Sequence, residues 1–247
     1  MKKRQPAHLL SALAAAALCL ALLVPGHALA AQTPLPVAGE APPPVASVCL
    51  DPGHGGPDIG VGGPGLAEKD LALAICLRVR ALLEKKGYRI YLTRASDAAV
   101  PVEDRTGLAN HRQCDAFISV HADSGFSEAA AGPKVYSFAE PALESRRQGG
   151  AAASPADWRR VPALTRQEGT RLARAVALGL EGVQLPARAV REAPLVVLVG
   201  ARMPAALVEV GVLPAESARL ARGEAQDRLA NGIARGIDLF FRPGSIP

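Results

Sequence analysis

Four residues of this 247-residue chain have the types and places for metal-assisted hydrolysis. His54 and Glu68 stand at the two ends of a Gly-rich stretch, "HGGPDIGVGGPGLAE"; His121 lies in "SVHAD" and Glu209 in "ALVEV". Two imidazoles and one carboxylate make a zinc set that leaves a fourth position to water. The intervening glycines let the backbone fold tightly around an ion and bring Glu68 back towards His54. Each residue taken alone has a plainer reading. A histidine after a strand is usually structural, and a glutamate opening a helix commonly serves the helix dipole. Glu209 resists that treatment, because a carboxylate inside an apolar strand is costly unless it is paired or catalytic. As a set, the four residues predict a metal centre.

The elements that must position them follow from punctuation and periodicity. "ASVCL" (46–50) predicts a buried strand running into a loop at Asp51-Pro52-Gly53. From Glu68, apolar Leu71, Ile75, Val79 and Leu82 mark one helical face, which Gly87 closes. "YRIYLT" (88–93) predicts a second strand, "EDRTGLANHRQ" (103–113) a second helix, "AFISV" (116–120) a third strand and "KVYSF" (134–138) a fourth. A helix over 170–183, strands at "LVVLV" (195–199) and "ALVEV" (206–210), and an amphipathic helix over about 224–241 complete the pattern. Alternating strands and helices imply a single α/β domain over 46–243. Its twisted, mostly parallel sheet would carry helices on both faces. Functional groups in such sheets gather beyond the carboxyl ends of the strands. His54 a few residues after strand one, His121 directly after strand three, Glu209 at the end of "ALVEV" and Glu68 opening the first helix can therefore share one edge.

Composition narrows the setting. "MKKR", an apolar run over Leu9–Val24 and a small-residue site at Ala28-Leu29-Ala30 read as a secretory leader over 1–30, with a membrane anchor as the alternative. The run is short for a bilayer span and Pro25-Gly26 interrupts it. Residues 31–45 are Pro-rich and read as an extended linker. No span is expected once the leader is removed, so the periplasm or the extracellular cell wall is the expected location. Lys2, Lys3 and Arg4 take three of the 28 basic residues with the leader, against 23 acidic ones. The remaining chain is nearly balanced, which argues against a nucleic-acid partner. Cys49, Cys76 and Cys114 sit among apolar neighbours and read as buried free thiols, with a Cys49–Cys114 bridge left open. The abundance of alanine, with only 4% aromatics, predicts helices packed closely through small side chains.

Together, "LDPGHGGPDIGVGGPGLAEKDLAL", "LTRASD…VEDRTGLAN", "DAFISVHAD", "GPKVYSF" and "MPAALVEVGVL" resemble the zinc-dependent N-acetylmuramoyl-L-alanine amidases, the amidase type 3 class of cell-wall hydrolases. The resemblance spans roughly Ser47 to Phe241. It implies one zinc ion held by His54, Glu68 and His121, with Glu209 as catalytic acid/base. The implied reaction is hydrolysis of the amide joining N-acetylmuramic acid to L-alanine in peptidoglycan, in wall remodelling or daughter-cell separation. Arg94, Arg105 and Asn110 match family positions, either at the substrate or as ties between loops. Asp123 is expected to support the metal shell rather than ligate it. A monomer is expected.

Two departures stand out. The family commonly carries an asparagine after the stretch that here reads "VEVGVLPAES". Residues 140–166 form a longer segment than a turn requires. It reads either as a solvated loop or, as in some periplasmic relatives, as a cover over the zinc that a protein activator displaces. Two other classes remain open: a zinc-free wall-binding protein on the same fold, and a zinc exopeptidase or deacylase acting on free peptides or sugars.

Overall fold

A computed structural model describes residues 45–124, 131–139, 165–185, 190–242 and 244. The expected leader, all of the linker except Val45, and residues 140–164 of the long segment lie outside the described residues. Among the described residues no helix is long and apolar enough to cross a membrane.

Strands β1 (Ser47–Pro52), β4 (Arg89–Leu92), β5 (Ala116–Asp123), β6 (Lys134–Phe138), β7 (Val190–Ala193) and β8 (Ala205–Val212) form one sheet in the order β4-β1-β5-β8-β6-β7. The run from β4 to β8 is parallel, β6 lies antiparallel to β8, and β7 follows β6 in parallel. A two-residue-per-strand hairpin, β2 (Gly62–Gly63) with β3 (Leu66–Ala67), sits within the Gly-rich stretch. The helices are α1 (Glu68–Glu84), α2 (Val102–His111), α3 (Arg166–Glu181), α4 (Leu213–Leu220) and α5 (Gly223–Phe241), with a 3-10 turn at Val196–Leu198.

Alternation along the strands supplies both faces. Val48 and Leu50 of β1 join the larger core with Ile75, Val79, Val176 and Ile233 from α1, α3 and α5. Cys49, between them, points to the smaller core of Ala109, Phe117, Leu198 and Met203. The sheet is thus covered on both sides, as a parallel sheet requires. On the larger-core side, helices α3 and α5 approach almost backbone to backbone: a Cβ added at Gly179 would lie 2.3 Å from the Gly232 carbonyl oxygen. The small-residue packing expected from composition is present there. The last turn of α1 closes through Gly87 N–H to Glu84 O (3.0 Å) and Tyr88 N–H to Leu83 O (3.2 Å), the paired bonds of a Schellman ending.

Several expectations are corrected. "LVVLV" is not a strand: 3-10-type bonds join Leu198 N–H to Leu195 O and Val199 N–H to Val196 O at 3.0 Å. Leu198 is fully buried, whereas Val196 is exposed. An apolar β-branched run has adopted a tight turn because only one side of it packs, in the smaller core. Strand β7 instead precedes it. β5 continues through His121 to Asp123, with a register irregularity between those two residues, because β8 beside it extends to Val212 and supplies partners. His121 therefore lies inside its strand, and Glu209 is interior to β8 rather than at its end. Helix α4 falls in "LPAES", where Pro214 occupies the first turn. Helix α3 begins at Arg166, so the long segment ends one residue earlier than expected. Cys49, Cys76 and Cys114 are buried free thiols, with no bridge between Cys49 and Cys114.

Candidate metal centre

The chain leaves β1, forms α1, pairs β4 on one side of β1 and returns to place β5 on the other. The crevice between the carboxyl ends of β1 and β5 is the position where a parallel sheet most readily receives a ligand. His54 lies two residues beyond β1, His121 lies in β5, and Glu68 is the first residue of α1. These three sequence positions meet. His54 Nε2 lies 3.0 Å from Glu68 Oε1, and His121 Nδ1 lies 2.9 Å from the same oxygen. The three potential ligand atoms all fall within 4.8 Å of one another.

Glycine makes that convergence sterically feasible at two points. A Cβ at Gly53 would fall within 2.4–2.7 Å of three atoms of the His121 ring. At Gly60, where φ is +66°, it would lie 2.5 Å from Glu68 Oε2 and 2.6 Å from His54 Cδ2. Side chains there would fill the cradle. His54 itself has φ 59°, a left-handed conformation that costs an L-residue with a side chain roughly 1–2 kcal/mol.

The two carboxylates are treated in opposite ways. Burial pushes the Glu68 carboxyl up, but bonds from His121, His54 and the Val61 and Ala122 N–H groups outweigh it and hold the group well below the usual carboxylate range. Those amides donate to Oε2 at 2.8 Å and Oε1 at 3.0 Å, respectively. The same Glu68 contact, opposed by burial and assisted by Asp58, raises His54 to about 8. Glu209 is pushed up to about 7, chiefly by burial, against the opposing charge of His121. Its Oε2 is buried and finds no hydrogen-bond partner among the described residues. Register places Glu209 beside His121 on β5 and beside Lys134 on β6.

Around this core, Asp58 Oδ2 holds His54 Nδ1 at 2.7 Å, the carboxylate–imidazole contact that fixes a ligating ring. Sequence reasoning missed Asp58; its available signal was a short carboxylate four residues after His54. Asp123, expected in that supporting role, pairs with the Lys134 ammonium. Arg94 donates to Pro52 O, Gly53 O, Lys69 O and Ser96 O. Arg105 donates to Asp51 and to three carbonyls. Asn110 joins α2 to the 200–202 turn, through Gly200 O and the Arg202 N–H. All three residues are engaged with backbone rather than free.

An imidazole–carboxylate–imidazole set of this kind, in a Gly-shaped cradle with a raised carboxylate alongside, has the donor chemistry of a hydrolytic zinc site. Fold and site together fit an α/β hydrolase in which three converging donors could hold a metal ion. The profile of the N-acetylmuramoyl-L-alanine amidase family matches residues 48–238. The chain belongs to that family, whose activity is amide hydrolysis in peptidoglycan. Among its relatives is the N-acetylmuramoyl-L-alanine amidase AmiA of Salmonella typhimurium, 30% identical over 218 residues that cover 78% of this chain and 75% of AmiA. The amidase AmiC of Escherichia coli O6:H1 is 29% identical over 80% of this chain, which spans 53% of AmiC's length. The solved amidase AmiC2 of Nostoc punctiforme superposes with a TM-score of 0.62 at 33% identity, covering 78% of this chain and 95% of that one.

Proposed function

We propose that the chain is a zinc-dependent amidase that cleaves the bond between N-acetylmuramic acid and L-alanine. His54 Nε2, Glu68 Oε1 and His121 Nδ1 would hold the ion, and Glu209 would carry the proton. The observation behind this reading is the juxtaposition of a three-sided ligand set within 4.8 Å and, one strand away, a carboxylate whose buried Oε2 has no hydrogen-bond partner among the described residues. Bound there, zinc supplies Lewis-acid polarisation of the amide carbonyl and a more acidic water. Glu209, poised near neutrality by burial, accepts a proton from the attacking water. It then gives that proton to the amide nitrogen as the C–N bond breaks, leaving a free L-alanine amine and a lactyl carboxyl group, whose remaining water-derived proton passes to that amine or to solvent. Asp58 keeps the His54 ring aimed while this happens.

The reading extends to an exported protein working in the periplasm or cell wall, since its substrate lies there and residues 1–30 have the pattern of a cleavable leader. The segment 140–166 is tested separately: if it covers the zinc until a protein activator displaces it, replacing residues 141–164 with a short Gly-Ser turn should raise activity on sacculi several-fold, whereas unchanged or lost activity with the fold intact by circular dichroism would make it a plain solvated loop. The deciding experiment is digestion of purified sacculi followed by mass spectrometry of the products, alongside zinc analysis. Intact free stem peptides, peptide-free glycan and about one zinc per chain are expected. Cuts within the stem peptide or loss of sugar acyl groups would replace this reading with an exopeptidase or a deacylase.

A further inference from the structure

We infer that Arg105 is a positioning residue for the metal centre, acting through the backbone of His54. This rests on the zinc reading above. His54 is not a glycine, yet it holds a left-handed backbone at the point where its ring must reach Glu68. Such a conformation persists only where the surroundings over-determine it. The carbonyl of His54 accepts a hydrogen bond from Arg105 Nη2 at 3.0 Å, and the same nitrogen donates to Val100 O at 3.0 Å. Arg105 Nη1 donates to Pro52 O and to Asp51 Oδ1, each at 2.8 Å. One planar fork thus grips the loop on both sides of Gly53.

The fork is itself anchored. Asp51 is fully buried and also accepts Thr93 Oγ1 at 2.6 Å and Ser119 Oγ at 2.7 Å. Arg105 is therefore referenced to β1, β5 and the residue after β4, the rigid part of the sheet. Four donor contacts are already used and its side chain is 7% exposed, so it is not placed to hold substrate. Arg94 offers a natural comparison. It is also buried and also donates four bonds, all of them to carbonyls, but to those of Pro52, Gly53, Lys69 and Ser96 and not to that of His54. A lysine at either site keeps the charge and loses the fork.

The test compares Arg105→Lys with Arg94→Lys in the full-length protein. Zinc affinity is measured by competition with a chromophoric chelator, together with the Tm of the zinc-free forms and activity across added zinc. Arg105→Lys should bind zinc about tenfold or more weakly, as losses around a metal's ligands do. It should recover turnover as zinc is raised. Arg94→Lys, at a comparable loss of Tm, should change zinc affinity by less than about threefold, because it leaves the His54 carbonyl bond intact. Equal affinity losses in both variants would overturn the inference, as would wild-type affinity in Arg105→Lys. So would an Arg105→Lys that fails to fold while Arg94→Lys folds, since Arg105 would then determine the fold and not the site. Wild-type protein that binds zinc and cuts the amide while Arg105→Lys matches it removes this inference alone. Wild-type protein that binds no zinc removes the parent reading as well.

Discussion

Glu68 and Glu209 are the same residue type, both beside His121, and the fold treats them oppositely. Glu68, at the meeting of the Gly-rich loop and α1, accepts from two imidazoles and two backbone amides and is held strongly acidic. Glu209, in the interior of β8, has burial without a hydrogen-bond partner for Oε2 among the described residues and is raised to about 7. A carboxylate crowded with donors is fixed in its charged form and suits an ion. One deprived of donors can change its protonation state near neutral pH and suits proton transfer. The difference lies in the environment, since the side chains are identical.

That contrast can be broken by experiment. The largest effect is expected on the ligand side: His121→Ala should lower zinc affinity by more than about 100-fold, beyond the range of supporting-residue losses, and abolish activity at ordinary zinc concentrations. Glu68→Gln should likewise weaken zinc binding, because a ligand charge is gone. Glu209→Gln should keep its zinc and still bind peptidoglycan, with turnover down by about 10²-fold or more. Zinc content measured beside dye release from labelled sacculi separates the two glutamates; if Glu209→Gln lost its metal and Glu68→Gln kept it, their roles would be reversed. Asp58→Asn is expected to cost about tenfold in zinc affinity through a loosened His54 ring, read by chelator competition.

The smallest expected effect concerns pH and the metal-free protein. With its folded value raised from 4.5 to about 7, Glu209 keeps its proton when folded in a range where the unfolded chain releases it. The group therefore lowers stability as pH rises through that window, and the penalty is complete above it. Glu209→Gln removes the penalty, so its Tm relative to wild type should climb by a few degrees between pH 4.5 and 7 and then level off. A constant difference across that range would mean that Glu209 is not raised.

Legibility followed the range of the interactions. The helix α1 face, the strands β1 and β5 and the approach of His54, Glu68 and His121 were readable, because periodicity and the parallel-sheet rule depend on local pattern and chain order. The 3-10 turn at Val196–Leu198 was not, since an apolar β-branched run does not say whether one side or both will be covered. Asp58 and Asp123 show the same limit within the site: two aspartates near histidines look alike in sequence, but one meets an imidazole and the other an ammonium from β6.

The sequence by itself determined which residue types were on hand, the glycines at positions 53 and 60 that leave room for the cradle, and the order that brings β1 and β5 side by side. Tertiary structure alone decided which glutamate was saturated with donors and which was left short, and that Arg105 would grip the backbone of His54. Those outcomes depend on contacts between residues up to more than fifty positions apart, whose free energy is set by burial and by the direction of a few hydrogen bonds.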